Sequence, residues 1–207
     1  MSDFSKIYLY RMTHIENIPH ILSNGLTHRT SDNANANYVP IGDSSLISTR
    51  NTRTLNNGRL LGDYIPFYFG YRTPMLFVIQ KGLNGVVPTS AENIVYCVTS
   101  IKEILDSNID FIFTDGHAID SFTNEFDKQQ VANIEDILDF NAIKAIFWKD
   151  ENDLDKKRRK EAEFLLEQDL PNNYILGYIC FNETAKSKLI SFGIDEIKIV
   201  IKPNYYF

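Results

Sequence analysis

Glu161 and Glu163 stand two residues apart in Lys160-Glu161-Ala162-Glu163-Phe164, directly behind the basic run Lys156-Lys157-Arg158-Arg159-Lys160. A carboxylate pair on an apolar segment suits a reaction at a glycosidic carbon, where positive charge develops on the sugar and a fixed anion stabilises it. Cations beside the pair suit phosphates. The same pentapeptide also suits the solvated face of a charged helix, and the surrounding elements must decide between the two.

Residues 155–168 carry both periodicities. A helix or turn that gives way to a strand near Lys160 sets Ala162, Phe164 and Leu166 against Glu161, Glu163 and Leu165, and points both glutamates to one face. Upstream, residues 6–12 read as a first strand. A short helix follows, with Asn17 as its cap or Thr13 and Glu16 as a competing capping box, Pro19 in its first turn and Gly25 as its stop. Residues 28–62 are poor in apolar side chains and dense in Asn, Ser and Thr. A stretch of that length inside a compact fold reads as a substrate-covering loop.

The spacing then predicts strands over 74–79, 95–99, 111–114, 143–148, 174–181 and 196–202, with helices over 100–107, 134–140 and 183–192. Short strands mixed irregularly with short helices indicate an α+β fold, and 207 residues suit a single domain.

A formal net charge of -6 argues against a surface that grips nucleic acid everywhere. Local patches remain, at Arg50, Arg53 and Arg59 and in the 156–160 run. Cys97 and Cys180 lie in strand-like apolar contexts and read as reduced, buried thiols, with no metal site expected. No apolar run reaches membrane-spanning length and the first residues lack a signal-peptide pattern, so the cytoplasm is the expected location.

Several motifs occur in one order along the chain. They are Tyr10-Arg11-Met12-Thr13-His14-Ile15-Glu16-Asn17-Ile18-Pro19, the loop arginine Arg50, Asp63-Tyr64-Ile65-Pro66-Phe67-Tyr68-Phe69, Pro74-Met75-Leu76, Thr114-Asp115-Gly116-His117, and Arg158-Arg159-Lys160-Glu161-Ala162-Glu163-Phe164. In that order, over residues 8–168, the chain resembles the DarT family of DNA ADP-ribosyltransferase toxins, and its thymidine-modifying branch in particular. The resemblance implies an ADP-ribosyltransferase fold of two small packed sheets around an NAD cleft. It also implies transfer of ADP-ribose from NAD to thymine in single-stranded DNA, and a partner antitoxin carrying a DarG-like macrodomain.

By the same resemblance Glu163 and Arg50 are catalytic, with Arg53 as the alternative arginine because residues 32–53 align loosely. His14, Ile15, Glu16, Arg50 and Tyr68 contact NAD, while Met75, His117, Arg158 and Arg159 contact DNA. Each has an ordinary counterpart: a strand-end histidine for His14, core aromatics for Phe67-Tyr68-Phe69, core for Met75, and a turn histidine for His117. Transfer to guanine, RNA or protein, and a silent NAD- or nucleic-acid-binding domain, are the competing functions.

Overall fold

A computed structural model describes residues 2–207. Its eight strands form one sheet in the order β5-β4-β6-β2-β1-β3-β7-β8. They are β1 (Tyr8–His14), β2 (Ile65–Tyr68), β3 (Ile94–Ser100), β4 (Phe111–Thr114), β5 (Glu125–Asp127), β6 (Glu163–Leu166), β7 (Gly177–Cys180) and β8 (Ile199–Ile201). All pairings are antiparallel except β7 with β8.

The sheet is two four-stranded halves with a narrow joint. β1 and β3 pair along seven residues, from Tyr8↔Ser100 to His14↔Ile94. β2 and β6 pair along four, from Ile65↔Leu166 to Tyr68↔Glu163. The halves meet only at Tyr10↔Tyr68. Pro66 explains why the ladder ends there: it has no N–H to offer β1, and its carbonyl instead accepts from Arg11 Nη1 at 2.9 Å. The two sheets expected from the sequence are thus the two halves of one sheet, and the cleft opens where they part.

Period-two alternation explains how the strands are buried. In β3, Val95 and Cys97 enter one apolar cluster, while Ile94, Tyr96 and Val98 enter a second on the opposite face. Phe67, Phe111, Phe113 and Phe164 join the first, with Phe111 and Phe164 stacked at 4.4 Å between centroids. Burying four such rings supplies roughly 2 kcal/mol or more each, which rigidifies the half-sheet bearing Glu163.

Two segments depart from the sequence reading. Residues 74–79 belong to a helix, Pro74–Lys81, capped by Thr73 and closed by Gly82 in the left-handed conformation at φ 64. Its continuous apolar run hid a Thr-Pro start and a Gly stop. Residues 143–148 form no strand: a short helix, Phe140–Lys144, ends there, and Ile146 and Phe147 are exposed. The 28–62 stretch holds a further helix, Ser44–Thr52, with no buried residue. With the helices Ile18–Asn24, Ile101–Ser107, Ile134–Ile137, Lys156–Lys160 and Glu183–Ser191, these become α1 (Ile18–Asn24), α2 (Ser44–Thr52), α3 (Pro74–Lys81), α4 (Ile101–Ser107), α5 (Ile134–Ile137), α6 (Phe140–Lys144), α7 (Lys156–Lys160) and α8 (Glu183–Ser191).

Candidate active site

Glu163 opens β6 and is fully buried. Its carboxylate is nonetheless well partnered. Arg50 Nη1 donates to Oε2 at 2.8 Å and to Oε1 at 3.2 Å, and the Ala118 N–H donates to Oε1 at 2.9 Å. Below it, the Glu163 N–H donates to Thr114 Oγ1 at 3.1 Å, and Thr114 Oγ1 donates to the Gly116 carbonyl at 2.7 Å. These bonds lock the turn after β4 to the start of β6, so the carboxylate is held from three directions.

Arg50 reaches Glu163 from the last turn of α2, whose residues alone have little helical drive. Asp43 starts that helix by accepting from the N–H groups of Ser45 and Leu46. Arg53, one turn on, donates from Nη1 to the Ile119 carbonyl at 2.8 Å and from Nη2 to the Asp120 carbonyl at 3.3 Å. The two arginines differ in position: Arg50 is on the carboxylate, and Arg53 fixes the backbone that follows Ala118. Arg50 Nη2 is buried without a hydrogen-bond partner. Buried N–H groups of this kind normally have a partner.

Two adjoining chambers flank this pair. One, about 190 Å³, is lined by Tyr68, Met75, Arg50, His117 and Glu163. The other, about 340 Å³, is lined by Asn17, His20, Asn35, Gly62 and Tyr64. Arg11, Tyr38, Ile47, Arg50 and Pro66 line both. Burial first, then the Glu163 charge, pushes the Tyr68 hydroxyl well above its ordinary range, so it remains a phenol. A larger cavity, about 620 Å³, lies near Tyr8, Tyr71 and Arg72 and contains none of the predicted site residues.

His117 sits between Glu163 and a further cleft of about 360 Å³ lined by Lys157, Glu161, Phe122 and Leu154. Its Nε2 is 3.8 Å from Glu163 Oε1. Burial lowers the imidazole below its usual 6.5, Glu163 opposes that, and Arg50 and Lys157 reinforce it. The ring is therefore neutral at pH 7 and able to accept a proton.

Most of the basic run is paired within the fold. Arg158 donates from Nε and Nη2 to Asp155 and from Nη1 to Asp115 at 2.8 Å, and its side chain is only 12% exposed. It lies across Gly116, where a Cβ would fall 2.4 Å from Arg158 Nη1. Arg159 is held by Asp139, Asp153 and Asp155. Both guanidinium groups pair with carboxylates and tie loops together, and Arg158 also lines the cleft beside His117. Lys160 turns inward, donating to the Ile143 and Ala145 carbonyls, and burial pushes it down to about 8. Lys156 pairs with Asp150. Lys157 is exposed, and no described carboxylate pairs with it.

His14, Ile15 and Glu16 make their contacts within the fold. His14 Nδ1 accepts from the Glu16 N–H at 3.2 Å, Glu16 pairs with Lys188, and the Ile15 side chain is wholly buried. None of the three lines either chamber. Their neighbours do: Arg11, Thr13 and Asn17. Asn17 makes no cap bond. It clasps the loop instead, donating to the Val39 carbonyl at 2.9 Å and accepting from the Val39 N–H at 2.8 Å. Asn17 before Ile-Pro fits a helix cap in the sequence, and its burial turns it to the loop instead.

A family model described as "ssDNA thymidine ADP-ribosyltransferase, DarT" matches residues 10–207. A DNA ADP-ribosyl transferase of Escherichia coli O127:H6 is 34% identical over 187 residues, covering 89% of this chain and 84% of that protein. A DNA ADP-ribosyl transferase–DNA ADP-ribosyl glycohydrolase fusion protein of Thermosipho africanus is 28% identical over 201 residues, 96% of this chain and 49% of the fusion. Among solved structures, Thermus sp. 2.9 DarT in complex with ADP-ribosylated ssDNA superposes with a TM-score of 0.84 at 25% identity, covering 97% of this chain and 96% of that one. The same Thermus protein in complex with NAD+ gives 0.79 at 25% identity over 100% and 99%.

Proposed function

The chain belongs to the DarT family of single-stranded-DNA thymidine ADP-ribosyltransferases, and on that premise we propose how its cleft works. It is an NAD-dependent enzyme that transfers ADP-ribose to thymine in single-stranded DNA, with residues 1–207 acting as one catalytic domain. The observation that carries this reading is the buried Glu163 carboxylate, gripped by Arg50 and the Ala118 N–H at the wall where the sheet divides.

NAD is the co-substrate, and the chain's own residues fit it. Two chambers joined across Arg50 match a dinucleotide with a bend at its diphosphate. The open Arg50 Nη2 and the unpartnered, buried His20 Nε2 are polar groups such a ligand would satisfy. As the bond from ribose C1′ to nicotinamide breaks, its electron pair stays on the nicotinamide nitrogen and positive charge moves onto the ribose. Glu163 stabilises that charge, and Tyr68 and Met75 offer flat and apolar surface to the rings beside it.

The acceptor nitrogen must lose a proton to attack. Neutral His117 is placed on the acceptor side to take it, while Arg50, which keeps its own proton, balances the anion and orients Glu163. Thymine N3 then bonds to C1′. Lys157, exposed and paired with no described carboxylate, meets the DNA phosphates, while Arg158 on the same cleft wall is held by Asp115 and Asp155.

Bases so modified within a preferred sequence stall replication, which makes the chain a toxin acting in the cytoplasm, and a DarG-like macrodomain is the partner that removes the mark. The relative that joins transferase and glycohydrolase in one chain supports that pairing. Among the described residues no helix is long and apolar enough to cross a membrane. The test is nicotinamide release from NAD, measured with and without oligonucleotides. Release that tracks label transfer to a single-stranded oligonucleotide, and not to its duplex, supports the reading; release unaffected by DNA and unaccompanied by transfer refutes it.

A further inference from the structure

Glu161 is the carboxylate of the Glu-Ala-Glu run that the chemistry above leaves unused. It is 4% exposed. Its own N–H donates to the Arg158 carbonyl at 3.1 Å, but its carboxyl accepts no hydrogen bond from a described residue. Buried carboxyls normally find donors, because an unmet one forfeits its hydration without return. This one opens instead into the cleft of about 360 Å³ whose wall includes His117 and Lys157. His117 belongs to that wall and to the wall bearing Glu163, so it stands between the two glutamates.

We propose that Glu161, as the neutral carboxylic acid, donates a hydrogen bond to a ring carbonyl oxygen of the acceptor base, which makes this cleft the subsite for the thymine ring. The proposal rests on the transfer reaction described above and adds a catalytic residue to it. Thymine N3–H lies between two carbonyls. When its proton passes to His117, the electron pair left on N3 forms the bond to ribose C1′, and meanwhile the negative charge spreads onto those oxygens. An O–H donor already aimed at one of them stabilises that charge as it forms. Cytosine has no N3–H to give up, and it carries an amino donor where thymine has its C4 carbonyl, so a donor aimed at that oxygen also works against it.

The surroundings favour the protonated acid. Burial pushes Glu161 up to about 7, Lys157 opposes the rise, Glu163 adds to it and Lys160 opposes it. The charged groups around it come from three elements. From α7 and its cap come Lys157, Lys160, Arg158 and Asp155; from the turn after β4, His117 and Asp120; from β6, Glu163. Arg158 and Lys160 are committed elsewhere, to Asp115 and Asp155 and to backbone carbonyls. Lys157 is left as the cation that faces both the carboxyl and the incoming strand.

Single-turnover transfer to a thymine-containing single strand, at saturating NAD from pH 6 to 9, tests this on wild type, E161Q and E161L. Above pH 7 the wild-type rate falls about tenfold per pH unit as the donor is lost. E161Q, whose amide keeps an N–H and does not titrate, shows no such fall. E161L transfers at least tenfold more slowly at pH 7, with NAD affinity and melting temperature recorded alongside. An alkaline fall in E161Q matching that of wild type, or wild-type transfer by E161L, overturns the role of Glu161. A wild-type protein that consumes NAD but marks no thymine defeats the proposed function itself, and that result is distinct from either of these.

Discussion

Glu163→Gln removes one charge with almost no change of volume from a site whose partners are known. In the wild type, Arg50 Nη1 and the Ala118 N–H both point at the carboxylate, which is 0% exposed. A unit charge about 4 Å away interacts with it by about 4 kcal/mol at an effective dielectric constant near 20. The ribose carries only part of a charge at the transition state and Arg50 already offsets some of the field, so about 3 kcal/mol is lost, or roughly 10²-fold in rate. The amide adds a second cost, because its N–H₂ group must face Ala118 N–H or Arg50, donor against donor. The combined loss is about 4 kcal/mol, near 10³-fold. It falls on kcat, since bound NAD already carries its positive charge on nicotinamide and gains little from Glu163 before that charge moves. The assay is single-turnover transfer with NAD affinity measured by calorimetry, well below the melting temperature. A variant within tenfold of wild-type kcat, or one whose whole deficit lies in NAD affinity, refutes the reasoning.

Three further outcomes follow from the geometry. Arg158→Ala breaks the ties to Asp115 and Asp155 and costs about 2 kcal/mol, a fall of roughly 5 °C in melting temperature; the salt dependence of DNA binding stays at wild type, and a shallower slope would restore Arg158 as a phosphate contact. Lys157→Ala leaves the melting temperature within about 1 °C, as expected of an exposed side chain, and reduces the slope of log K against log salt by about 0.7; an unchanged slope removes Lys157 from the DNA path. For His117 the sign is fixed by burial, which lowers its pKa below 6.5 and keeps the proton-accepting form populated at pH 7. The acid limb of kcat/KM for DNA therefore lies below pH 6.5, and a limb at or above 6.5 contradicts its role as base.

The chain discloses its strands better than its helices. β1, β3 and β4 show through as β-branched and aromatic runs, because each is buried on at least one face and little else would bury such residues. α2 was invisible for a physical reason: no residue in it is buried, and it stands on the Asp43 cap and the Arg50 ion pair. α3 is buried through Pro74, Leu76 and Ile79, and its short apolar run fits either period.

The site itself was legible where function depends on residue type and illegible where it depends on partners. Glu163 and Arg50, two residue types the chemistry asks for, form an ion pair. The basic run did not behave as a unit, because its five cations divide according to which of Asp115, Asp139, Asp150, Asp153 and Asp155 the fold brings to them, and those distances are absent from the chain's order. Glu161 and Glu163 likewise part company. Glu161 caps α7 and Glu163 begins β6, so the pair serves two clefts on either side of His117 rather than one face.

The most direct test of the central claim is mass spectrometry of single-stranded oligonucleotides that differ at one variable base, after incubation with the protein and NAD. Addition of one ADP-ribose only where that base is thymine, abolished in Glu163→Gln, is the predicted result. Addition at guanine alone, or NAD consumed with every strand unmodified, contradicts it.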